Sequence, residues 1–274
     1  MQTEKQQQKE AMKMLKDTSR TFYIPITLLH PELKKTVASA YLCMRAIDEI
    51  EDSEILANNV KATLLKQTEL LLEQEQFDAA AYEKLTAPVA AELPEVALRL
   101  GDWLDTCPPD YVHKVKQFTA EMAGGMAYWA EQNWNIQTKE DLDSYTYYVA
   151  GLVGVMLSDI WEWHDGTVTD RDLAIGYGRG LQAVNILRNV EEDAERGVSF
   201  IPKGWTLDDM FDYAEGNLRL GREYMNGVST KTILLFCRIP LALAEKTLKA
   251  LKDGREKMSR AEVEETVARI QRDV

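Results

Sequence analysis

The sequence predicts an all-α protein. Apolar residues recur at helical spacing through most of its 274 residues, and alternating apolar and polar runs bounded by turn residues are scarce. Eight prolines and fifteen glycines punctuate that pattern without leaving room for a long flexible linker. One domain over residues 1–274 is therefore expected, and no internal repeat recurs at a fixed period.

Taken in chain order, breaks are expected at Pro25, around His30-Pro31, at Pro88, Pro94 and Pro108-Pro109, near Gly166, and from Gly197 to Gly204. The run Val37 to Ile47, VASAYLCMRAI, has almost no polar side, so a helix there is buried all round. Leu56 to Gln76 alternates leucines with Glu, Lys and Gln in the pattern of an amphipathic outer helix, which reads as scaffold. Leu173 to Val190 is again mostly apolar and predicts a second buried helix. Ile233 to Ala244 is the longest apolar stretch near the end; Arg238 and Pro240 interrupt it, and it is too short to span a bilayer. The charged stretch from Ser259 to Val274 reads as a solvated end helix.

Hydrophobic residues make up 45% and charged residues 28%, the balance of a globular protein. The net charge of −13 argues against nucleic acid as a partner, because phosphate backbones call for a basic footprint. Small phosphorylated ligands stay open, since magnesium can sit between carboxylates and phosphate. Cys43, Cys107 and Cys237 are few and far apart, which suggests neither a disulfide framework nor a zinc motif and fits a reducing, cytoplasmic setting. Met1 to Glu10 is polar without an apolar core and does not read as a secretory signal. His30, His113 and His164 lack a Glu three residues before them, which sets aside a di-iron bundle site.

Two polar stripes interrupt the apolar helices. Tyr41, Arg45, Asp48 and Asp52 follow at spacings of four, three and four, and at about 100° per residue they share one face. Two carboxylates one turn apart repel, so Arg45 or a hydrated magnesium ion is needed to compensate them. A plain solvated helix end is the alternative, with Glu49, Glu51, Ser53 and Glu54 alongside. Gln182, Asn185, Asn189 and Asp193 recur at three, four and four and form a second stripe of hard oxygen ligands. Arg188 beside it offers a fork of donors suited to phosphate. There the alternative is a buried amide network closing on itself. If the two stripes face one another they enclose a site for a metal-bound anion. The GYGRG run from Gly176 to Gly180 does not fit the dinucleotide fingerprint and is better explained by close helix packing.

These residues resemble the squalene and phytoene synthase family of head-to-head prenyl transferases. The matching pieces are Ser19-Arg20-Thr21-Phe22, the run from Tyr41 through Arg45 to Asp48 and Asp52, the segment YTYYVAGLVG from Tyr145 to Gly154, and QAVNILRNVEEDAERG from Gln182 to Gly197. LHPEL and YVAGLVG look closer to squalene synthases than to plant phytoene synthases. The resemblance implies a single-domain isoprenoid synthase-like helical bundle with a central apolar tunnel. It implies magnesium on Asp48 and Asp52 from one wall and on Asn185, Asn189 and Asp193 from the other. Ser19, Arg20, Arg45 and Arg188 match the diphosphate region, with Gln182 in the same pocket, while Phe22, Tyr41 and Tyr145 match aromatic or phenolic positions near the reacting allyl group.

The expected activity is magnesium-dependent ionisation of an allylic prenyl diphosphate, farnesyl diphosphate above all, followed by head-to-head coupling. NADPH use stays open, as do oligomeric state and a peripheral membrane contact for an apolar product. Two departures bear on the outcome: Asn189 stands where the family has an aspartate opening its second acidic motif, and Val198 where many members carry arginine. Both weaken the second motif, which keeps two alternatives in play: a phosphatase releasing farnesol, and a non-catalytic prenyl-lipid binding protein.

Overall fold

The computed structural model describes residues 4–19, 21–255 and 258–273. Among them there is no strand, so the all-helical expectation holds. The chain divides into two compact units, one formed by Met1–Ile26 and His30–Asn133, the other by Thr27–Leu29 and Trp134–Val274.

The first unit is built around a buried helix. Helices α1 (Glu4–Thr18) and α2 (Tyr23–Thr27) lead into α3 (Pro31–Glu51). Pro25, expected as a break, lies inside α2; a proline in a first turn forfeits no helical hydrogen bond, because those N–H groups have no partner there. Pro31 opens α3 for the same reason, with His30 in extended conformation before it. Leu42, Cys43, Ala46, Ile47 and Ile50 are fully buried, and each large apolar side chain of this kind stabilises by about 1.5–3 kcal/mol. α3 stops at Glu51: the Asp52 N–H returns to the Asp48 carbonyl at 2.8 Å, and the Lys61 ammonium donates to the Glu51 carbonyl at 2.8 Å. A cation there satisfies an orphan carbonyl and complements the helix dipole.

Helix α4 (Asn58–Leu72) occupies the predicted outer-helix segment and buries Leu64, Leu65 and Leu72. Helices α5 (Ala79–Thr86), α6 (Glu95–Leu98) and α7 (Leu100–Asp105) lead to α8 (Val112–Glu131), which packs on α3 and α4. The Ser39 hydroxyl of α3 donates to the Trp103 carbonyl of α7 at 2.7 Å, which holds α7 against the buried helix.

In the second unit α9 (Lys139–Thr146) starts with a capping box, Thr138 and Asp141 each satisfying the other's backbone. It runs into a π-helical turn, Tyr147–Gly151, and on into α10 (Leu152–Asp165), which Gly166 closes in the left-handed conformation at φ 76°. Helix α11 (Arg171–Arg188) then passes between neighbours on glycine. A Cβ on Gly178 would stand 2.3 Å from the Ala150 carbonyl oxygen, and one on Gly154 would stand 2.3 Å from that of Ala174. Gly176 and Gly180 are closed off in the same way by Leu220 and Leu218 of α13 (Leu207–Tyr224), so close packing does explain the GYGRG run.

Between α11 and α13 lies α12 (Val190–Glu195). Helix α14 (Lys231–Lys252) is continuous through Pro240; the Tyr177 hydroxyl donates to the nearby Cys237 carbonyl at 2.6 Å. The last helix, α15 (Arg260–Asp273), is less solvated than its charge suggests. Val267 and Ile270 are buried with Ile239 of α14, and Leu28 packs against them. All three cysteines are buried and free.

Candidate active site

In the first unit the fold gathers most of the predicted residues of the first stripe. Buried Ser19 accepts the Phe22 N–H on its Oγ at 2.9 Å, which sets the turn between α1 and α2. The Phe22 ring lies 6.2 Å from that of Tyr41, tilted by 45°, and the Tyr41 hydroxyl donates to the Thr18 carbonyl at 3.3 Å. Burial raises the Tyr41 phenol above its usual range, so it stays protonated and available as a donor. Arg20 lies outside the described residues.

One turn further along α3, Arg45 bridges two carboxylates: its Nη1 donates to Asp48 at 2.6 Å and its Nε to Glu49 at 2.8 Å. The carboxylates and charge hold Arg45 firmly protonated against its partial burial. At the helix end Asp48, Glu51 and Asp52 each offer an oxygen, all within 4.8 Å of one another. These are the only such ligand-spaced group among the described residues. Glu51 is buried, Asp48 half-buried and Asp52 exposed as the C-cap. The Asp48 carboxyl is pushed up from the usual range, first by burial and then by the neighbouring Asp52 charge, with Arg45 opposing. Three hard oxygens at this spacing suit a magnesium ion, which would relieve the repulsion that raises Asp48.

The second unit gathers Tyr145 and the second stripe. Tyr145 is buried and stacks on Phe200, ring centroids 4.7 Å apart and planes within 21°. Its helix is pinned on both sides: the Tyr213 hydroxyl donates to Asp143 at 2.7 Å, and Arg179 donates through Nη2 to the Asp143 carbonyl at 2.9 Å. Directly after it comes the π-helical turn, a distortion that recurs at functional sites.

The second stripe departs from the expected single buried helix. The helix breaks at Asn189, which ends α11 and precedes α12 with φ −103° and ψ 10°. Asn185 and Arg188 are exposed, Gln182 and Asn189 are half-buried, and only Asp193 is buried. The Asn185 amide donates to Gln182 Oε1 at 3.4 Å, and Arg188 Nε donates to Asn189 Oδ1 at 3.2 Å. Asp193 forms a close ion pair with Arg196.

Four contributors were missed in the sequence. Glu51 was seen only as part of an acidic surround, although its place beside Asp52 and three after Asp48 puts it at the same helix end. Arg196, three residues after Asp193, was legible as a helical ion-pair partner. Phe200 and Tyr213 carry no local signal, because their contacts with Tyr145 and Asp143 span 55 and 70 residues.

The fold is all-helical among the described residues, with a buried helix that ends in ligand-spaced carboxylates and buried phenols on other helices. Residues 15–208 match the squalene/phytoene synthase family. The squalene synthase ERG9 of Saccharomyces cerevisiae is 30% identical over 275 residues, covering 89% of this chain and 61% of that protein. The Mus musculus squalene synthase is 28% identical over 271 residues, covering 88% and 63%. Among solved structures, TcSQS with the ligand BPH1237 superposes with a TM-score of 0.78 at 22% identity, covering 96% of this chain and 86% of that one. A dehydrosqualene synthase bound to a ligand gives 0.66 at 20% identity, covering 98% and 96%. The chain belongs to the squalene/phytoene synthase family. It spans about three-fifths of the length of the curated relatives it matches. No helix of the described residues is long and apolar enough to cross a membrane.

Proposed function

We propose that residues 1–274 work as a single isoprenoid synthase-like domain that ionises an allylic prenyl diphosphate, farnesyl diphosphate in the first instance, and couples two such units head to head. The observation that carries this reading is the Asp48, Glu51 and Asp52 group at the end of a buried helix, in a chain of this family. The squalene synthases it resembles name the product class.

Magnesium on that group supplies Lewis-acid stabilisation of the departing diphosphate. Asp48, Glu51 and Asp52 hold it with hard oxygens, and Arg45 fixes the Asp48 carboxylate in place. Arg188, exposed at the end of α11, matches the family's diphosphate region by resemblance and offers a fork of donors suited to phosphate. Phe22 and Tyr41 of the first unit and Tyr145 of the second match, by resemblance, the aromatic positions near the allyl group; an aromatic face on an allylic cation is worth about 2 kcal/mol when desolvated. Excluding water from that cation decides between coupling and escape as a prenol.

The test is to incubate purified protein with farnesyl diphosphate and magnesium, with and without NADPH, and to extract the products. A C30 product is expected, and its dependence on NADPH shows whether a reduction follows coupling. Farnesol as sole product rejects coupling, and no diphosphate release under either condition rejects an enzyme acting on this substrate.

A further inference from the structure

We infer that the second stripe holds no divalent ion, and that Arg188 and Arg196 supply its positive charge instead; this rests on the reading above of a metal-binding α3. The resemblance assigns Asn185, Asn189 and Asp193 as magnesium ligands. Asn189 and Asp193 already have an oxygen engaged, and the Asn185 amide is turned to Gln182 as a donor. Gln182 Oε1 takes the Asn185 amide, Asn189 Oδ1 takes Arg188 Nε, and the buried Asp193 carboxylate takes Arg196. The helix is also interrupted at Asn189, although the Asn189 N–H still reaches the Asn185 carbonyl at 3.0 Å and the Asp193 N–H the Asn189 carbonyl at 2.8 Å.

Charge points the same way. On α3, Arg45 pairs with Asp48 and Glu49 and the Lys61 ammonium meets the Glu51 carbonyl, so Asp48, Glu49, Glu51 and Asp52 still outnumber the cations and the group remains anionic. In the second stripe Asp193 is the sole carboxylate, and two guanidiniums stand with it. Glu191, Glu192 and Glu195 of α12 are exposed and form no ligand-spaced group with Asp193. A dication approaching such a stripe has to displace a fixed cation from a buried carboxylate and finds mostly neutral amides beside it. An anionic diphosphate finds guanidinium donors without needing a second-wall ion.

The experiment counts metal rather than turnover. Mn2+ binding to the full chain is followed by electron paramagnetic resonance, alone and with inorganic pyrophosphate, while circular dichroism checks folding. Asn189→Ala and Asp193→Asn are expected to leave the number of bound ions unchanged and the affinity within about twofold, whereas Asp48→Asn lowers affinity at least tenfold, the scale of losing a metal-supporting contact. The double variant Asn189→Asp, Arg196→Ala is expected to gain one ion. Loss of an ion in Asn189→Ala or Asp193→Asn overturns the inference; if Asp193→Asn does not fold, Asn189→Ala decides. If the wild-type chain binds no Mn2+ at all, the metal reading of α3 fails by itself, and the second stripe is then judged by whether the double variant gains its site.

Discussion

The C-terminal end of α3 and the α11–α12 junction are written in nearly the same sequence pattern, polar residues at three- and four-residue steps on an otherwise apolar helix. They fold into different objects. At α3 the helix continues to Glu51, and three carboxylates converge to within 4.8 Å, with Arg45 on Asp48 and Lys61 on the Glu51 carbonyl. At the α11–α12 junction the helix is interrupted, and the Gln182, Asn189 and Asp193 oxygens find internal donors. Periodicity decides which residues share a face; the residue three positions on decides whether a carboxylate meets a cation or another carboxylate. Arg196 stands in that position after Asp193, and Glu51 stands there after Asp48.

The contrast is broken or upheld most directly by turnover. Asp48→Asn removes a ligand from the converging group and is expected to cut diphosphate release from farnesyl diphosphate by about 10²–10³-fold, the scale of losing one preorganised electrostatic contact. Asn189→Ala removes an amide that already has a partner and is expected to cost less than about tenfold, under ~1.4 kcal/mol. Comparable losses in the two variants, measured as pyrophosphate release under saturating magnesium, put both motifs on the same footing and end the distinction.

Stability separates the regions next, because the second stripe hangs on a helix seated by glycines. A methyl group at Gly154 meets the Ala174 carbonyl oxygen at 2.3 Å, and backbone gives way at greater cost than a flexible side chain. Gly154→Ala is expected to destabilise by about 2–3 kcal/mol in chemical denaturation. Gly216, in α13 with nothing within 4 Å of a new Cβ, is the control: Gly216→Ala is expected to stabilise by about 0.5–1 kcal/mol. Equal effects at the two sites remove the packing account of α11.

At α3 the stability effect runs the opposite way. A carboxyl whose pKa is raised by folding binds its proton more tightly in the native state, so metal-free stability declines as pH climbs from about 4 through the raised value. Burial and the Asp52 charge raise Asp48 in this manner. Asp48→Asn is therefore expected to raise the Tm of metal-free protein at pH 8, to change it little at pH 4, and to abolish the further rise that magnesium gives the wild type. A lower Tm for the variant at pH 8 in chelator shows that Arg45 already compensates Asp48 without metal.

The helical class, the buried α3 stripe and the packing role of Gly176 to Gly180 were legible because each is a local spacing rule acting on strongly apolar neighbours. The break at Asn189 was not, since nothing in a three-and-four pattern says where a helix stops, and Asn is tolerated on either side of such a break. Long-range pairings such as Tyr213 with Asp143 depend on tertiary packing and leave no trace in nearby residues.

The smallest expected effect concerns Phe200, which joins the two themes because it follows the Asp193 helix end in sequence and stacks on Tyr145 in space. The chain after α12 turns at Gly197, with φ 73°, and the Val198 N–H returns to the Asp193 carbonyl at 3.0 Å, so the loop carrying Phe200 starts from a fixed point. A stacked aromatic pair contributes about 0.5–1.5 kcal/mol beyond its buried area. Replacing Phe200 by Leu keeps bulk and loses the stack, leaving the Tyr145 ring less firmly held; if Tyr145 faces the allylic cation as proposed, that cation becomes more open to water. The share of released carbon recovered as farnesol is expected to rise by roughly two- to tenfold in Phe200→Leu, the range that energy spans, and to stay at the wild-type level in Phe200→Tyr. An unchanged share in Phe200→Leu, with diphosphate release intact, shows that the stack holds the loop and has no part in excluding water from the reacting carbon.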